Sequence, residues 1–76
     1  MRRYTLKSVV NGDATITKHD TYDDCEKVVL GNTGAFVIVD NESSKYQVLI
    51  AGDNTIFTKT NWLNLSDAPK DLMSAV

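Results

Sequence analysis

Cys25 and His19 are the two side chains whose types invite nucleophilic chemistry, because a thiol early in a helix and near an imidazole has a lowered pKa. Their positions argue against it. Cys25 shares helical spacing with Tyr22, Val28 and Val29, so it reads as a buried core thiol, whereas His19 precedes the helix and reads as an ordinary exposed residue. Asp20, Asp23, Asp24 and Glu26 could be a metal site or paired catalytic carboxylates. Helix capping and dipole compensation account for most of the group, and it lacks the alternating ligands and mid-loop glycine of a calcium loop. Gly31 and Gly34 form a GxxG pair without the flanking residues that cradle a phosphate. No catalytic, cofactor-binding or metal-ligating residue is assigned, and an enzyme is disfavoured because no nucleophile, base and oxyanion donor converge.

Binding chemistry has better candidates. Arg2, Arg3, Lys7 and Lys18 fall together on a first hairpin, where Tyr4 adds a stacking ring, and they are the best case for nucleic acid. Against it, the chain carries eight basic and ten acidic residues, a net charge of −2, and no aromatic RNA-binding motif, so a solvated strand face is the favoured reading. Trp62, with Tyr46 and Phe57, suits a core better than a stacking platform, although Trp is also a hot-spot residue type. Thr58, Lys59, Trp62, Leu63 and Leu65, at the end of a strand and just after it, are the candidate partner-binding residues.

The elements that must position these residues centre on AFVIVDNESSKYQVLIAG, residues 35–52. Two runs rich in Val, Ile, Phe and Tyr flank a polar reversal at 40–45, and both alternating sets in each run are apolar, so this hairpin is central and both its faces need cover. Before it, residues 3–10 alternate as a half-buried strand, and Asn11-Gly12 marks a hairpin turn. A three-residue loop, Val10-Asn11-Gly12, is expected, because it sets Leu6 opposite Ile16 and Ser8 opposite Ala14. Thr21 is the expected N-cap of a helix over Tyr22 to Leu30, ended by Gly31 in a left-handed conformation. After the central hairpin come a turn at Gly52-Asp53-Asn54, an edge strand over 55–60, and a short helical tail over 70–76. The fold class is α+β: one domain spanning 1–76, with a mainly antiparallel sheet of about five strands in ββαβββ order packed by one helix.

At 76 residues the chain has a thin core, so cover from another chain, including a homodimer, is a reasonable expectation. A single cysteine excludes an intrachain disulfide and fits a reducing, cytoplasmic setting. The N-terminal MRRYTLKSVV alternates where a secretory signal has a continuous apolar run, and no stretch reaches the length of a membrane span.

In size and order of elements, with RYTLKSVVNGDATI as first hairpin, TYDDCEKVVLGN as helix and GAFVIVDNESSKYQVLIAG as central pair, the chain resembles small phage-encoded proteins, including some anti-CRISPR proteins. The resemblance implies a non-enzymatic inhibitor that binds a surface of a host or defence complex. It carries over no functional residues. The alternative expectation is a nucleic-acid-associated regulatory protein using the basic first hairpin.

Overall fold

The computed structural model describes residues 2–10 and 13–68. They form strands β1 (Tyr4–Val10) and β2 (Asp13–His19), helix α1 (Tyr22–Leu30), strands β3 (Gly34–Asp40), β4 (Lys45–Gly52), β5 (Thr55–Lys59) and β6 (Leu63–Asn64), and a closing 3-10 turn at Leu65–Asp67. All strand pairings are antiparallel, in the order β2-β1-β3-β4-β5, with β6 also on β4. The expected α+β class and ββαβββ order hold, with β6 as an additional short strand. The helical tail expected over 70–76 lies outside the described residues.

Helix α1 forms where the local chemistry directs it. Thr21 Oγ1 accepts the Asp24 N–H at 3.2 Å, Asp23 and Asp24 occupy the first turn, and Lys27 lies in the last. Its inward stripe puts Cys25 and Val29, both fully buried, against Leu6, Phe36, Ile38, Leu49 and Ala51 of the sheet. The helix end differs from expectation. Gly31 stays right-handed at φ −82°, because the Gly31 and Asn32 N–H groups and the Asn32 side-chain amide satisfy the last-turn carbonyls without a left-handed residue. The positive φ falls instead at Gly34 (140°), where the chain swings into β3.

The opposite sheet face carries a second cluster of Val37, Val39 and Tyr46, packed by Val48, Leu65 and Ala68. The register of the first hairpin differs from expectation, with Asn11-Gly12, a pair suited to a two-residue reversal, left between the paired residues. Leu6 faces Thr17, Ser8 faces Thr15 and Val10 faces Asp13, which leaves residues 11–12 as the loop; their own conformation lies outside the described residues. Ile16 is therefore opposite Lys7, itself beside Val37, on the second face. Ile16 stays 38 % exposed there and outside the second cluster, because a one-residue slip exchanges the faces of a whole strand.

Candidate interaction surface

Three rings lie in a row at one end of the helix-bearing face. Tyr4 of β1 meets Tyr22 of α1 edge-on, with centroids 6.1 Å apart, and Tyr22 meets Trp62 edge-on at 5.7 Å. Cations flank the row: the Arg3 guanidinium lies 5.3 Å from the Tyr4 centroid and Lys59 Nζ 5.2 Å from that of Tyr22. Trp62 is 37 % exposed and belongs to neither core cluster.

Hydrogen bonds fasten the middle ring and the segment leading to Trp62. Tyr22 Oη donates to Gln47 Oε1 at 2.6 Å, and Gln47 Nε2 donates to the Thr60 carbonyl at 2.8 Å, so the helix, β4 and the segment leading to Trp62 share one buried amide. Thr60 exchanges further bonds with Val48, its Oγ1 accepting the Val48 N–H and its own N–H donating to the Val48 carbonyl. Lys59 Nζ also donates to Glu26 Oε2 at 3.2 Å, and its pKa is raised by the Tyr22 hydroxyl and Glu26.

At the other end of the row, Arg3 forms a two-pronged pair with Asp40, Nε to Oδ1 at 3.0 Å and Nη2 to Oδ2 at 2.9 Å. Asp40 Oδ1 also accepts the Glu42 and Ser43 N–H groups, closing the β3–β4 reversal. The Arg3 hydrogen bond, ahead of the turn amides, holds the Asp40 carboxyl well below the usual carboxylate range. An open cavity of about 210 Å³ lined by Arg2, Arg3, Asn41 and Glu42 adjoins this pair.

No family model, curated protein or solved structure matches this chain. The functional reading therefore rests on where its own residues lie.

The candidate partner-binding segment divides between the two faces. Lys59 and Trp62 meet around Tyr22, whereas Thr58 and Leu63 are exposed on the opposite face, opposite Ile50 and Tyr46, and Leu65 is half-buried in the second cluster. The basic candidates are only partly brought together, Arg2 and Arg3 lining one cavity with Asn41 and Glu42. Arg3 is committed to carboxylates, Arg2 Nη1 donates to the Lys18 carbonyl, and Lys7 is only 6 % exposed on the second face. Cys25 is fully buried, and desolvation, with a smaller contribution from Asp24, pushes its thiol up to about 11. His19 Nε2 is 2.8 Å from Thr17 Oγ1. Among the described residues, no group of three His, Cys, Asp or Glu side chains is placed to hold a metal ion, and no helix is long and apolar enough to cross a membrane.

Sequence inspection missed Gln47 and Asp40 as organising residues. Each had a signal: Gln47 is the polar residue between Tyr46 and Val48 of an apolar strand, and Asp40-Asn41 opens a polar reversal with an Asx-type turn residue.

Proposed function

We propose that this chain is a non-catalytic protein-binding module of the cytoplasm, acting by stoichiometric contact through the Tyr4–Tyr22–Trp62 row and its flanking Arg3 and Lys59. The observation that carries the reading is the row itself. Tyr, Trp and Arg are the residue types that dominate binding hot spots, and here Tyr22 is fastened by the buried Gln47 amide, Arg3 by Asp40, and Tyr4 and Trp62 by edge contacts with Tyr22, so less side-chain entropy is left to lose on binding. The resemblance to small phage-encoded inhibitors supplies the direction: the partner is a host or antiviral defence complex, and the outcome is inhibition by occupancy. Burial of Cys25 and its raised pKa support a role without a thiol nucleophile.

The test is a titration of purified chain against purified CRISPR effector complexes, using the wild type and Trp62→Ala, with circular dichroism on both. The expected result is saturable one-to-one binding that Trp62→Ala weakens by about 2 kcal/mol or more with the spectrum unchanged. Absence of binding removes the defence complex as partner, and binding that a folded Trp62→Ala variant retains in full removes the aromatic row.

A further inference from the structure

The sheet has two outer strands, and they are finished differently. Strand β5 is five residues long, its pairing with β4 is broken by a register shift at Ile50/Ala51, and it ends at the charged Lys59. Such a bulge protects an edge from further pairing. Strand β2 has seven residues in unbroken register with β1, holds no proline, and has no neighbour on its far side among the described residues. Its centre, Ala14 to Lys18, is exposed, and Ile16 is 38 % so.

The hydrogen-bonding side of each residue follows from the alternation. The Arg3 carbonyl accepts the Asn41 N–H at 2.9 Å, so odd-numbered positions of β1 bond towards β3 and the even-numbered Tyr4, Leu6 and Ser8 bond towards β2. Their partners His19, Thr17 and Thr15 are thereby occupied. Ala14, Ile16 and Lys18 direct their N–H and C=O groups outwards, the Lys18 carbonyl accepting Arg2 with one lone pair and keeping a second.

We propose that β2 pairs antiparallel with β2 of a second copy, about a two-fold axis through Ile16. This register opposes Ile16 to Ile16, Ala14 to Lys18, Thr15 to Thr17 and Asp13 to His19. Every outward N–H then meets an outward carbonyl. It is the one symmetric register that overlaps all of β2, and its side-chain pairs are complementary: a carboxylate faces an imidazole, threonine faces threonine, and the Lys18 stem covers Ala14. Symmetry closes the assembly at two, because each edge is consumed by its copy. The apolar second faces of the two sheets, Val9 and Ile16 included, become continuous across the axis. The aromatic row takes no part, so the dimer stands or falls independently of the function proposed above.

The test uses the full chain. In sedimentation equilibrium at on the order of 100 µM, where a micromolar dissociation constant leaves little monomer, the wild type sediments as a dimer with no larger species. Ile16→Lys, which sets two charges together at the axis, sediments as a monomer with an unchanged far-UV spectrum. A hydrogen-bonded antiparallel pair has its Cα atoms about 5.5 Å apart, within disulfide range, so Ile16→Cys in a Cys25→Ser background cross-links to a covalent dimer under mild oxidation. Thr58→Cys in the same background, on the other edge, does not. A monomeric wild type, a dimer that survives Ile16→Lys, or an Ile16→Cys variant that fails to cross-link overturns the proposal, and the cross-link decides the matter if Ile16→Lys does not fold.

Discussion

Tyr22 Oη donates a 2.6 Å hydrogen bond to Gln47 Oε1, fastening helix α1 to β4 above the first core. Gln47 is 4 % exposed, so its amide oxygen has little recourse to water. Tyr22→Phe keeps the ring and its contacts with Tyr4 and Trp62 while leaving that oxygen unpaired. The expected cost is about 1 to 3 kcal/mol in urea unfolding, with an unchanged far-UV spectrum. A loss within the error of the wild-type measurement would mean that the bond does not fasten the helix.

Acid should weaken the fold through Asp40. Its folded pKa lies below the ordinary carboxylate value because the Arg3 guanidinium bonds the charged form, so on acidification the unfolded chain takes up a proton at this group before the folded chain does. Stability from this group is complete above the unfolded pKa of about 4 and is lost as pH falls below it. Urea midpoints measured from pH 7 down to pH 2 should fall over that acidic range, and Asp40→Asn should flatten the slope. An equally steep slope in Asp40→Asn would place the acid sensitivity elsewhere.

The Cys25 thiol, raised to about 11, is protonated at neutral pH and shielded by α1. Ellman's reagent should react with it only as fast as the protein unfolds, and Cys25→Ser should cost about 1 to 2 kcal/mol of stability with binding intact. Rapid labelling of the native protein would contradict its burial.

Nucleic-acid binding by the first hairpin is expected to be immeasurable at physiological salt. Arg3 is neutralised by Asp40 and Glu42, the cavity it lines with Arg2 is shared with the Glu42 carboxylate, and Lys7 is buried on the second face, so the four cations do not form one basic groove. Fluorescence anisotropy with labelled single-stranded RNA and DNA checks this. A micromolar dissociation constant that Arg2→Ala with Lys18→Ala weakens would restore the nucleic-acid reading.

The elements themselves were legible in the amino-acid order. The span of α1, its Thr21 cap, the buried stripe of Cys25 and Val29, and the central hairpin with both faces apolar follow from patterns a few residues long, because helix and strand periodicities are local. A local pattern ends where two strands must choose their alignment. The register of β1 with β2 did not follow the burial of Ile16, which stays 38 % exposed and outside the cluster that Val37, Val39, Tyr46, Leu65 and Ala68 form on the same face. Gly31 shows the same limit, since Asn32 satisfied the end of the helix in a way that residue preference alone does not specify. The candidate surface is the furthest from local. The stretch holding Lys59 and Trp62 was legible as a candidate, but Tyr4 and Tyr22 join it from two other segments and Arg3 meets Asp40 across 37 positions, so no spacing in the sequence announces the row. Composition and periodicity determined which residues would be strand, helix and core; only tertiary packing decided which rings and charges would share a surface, because that depends on sheet register and on where the chain crosses from one face to the other.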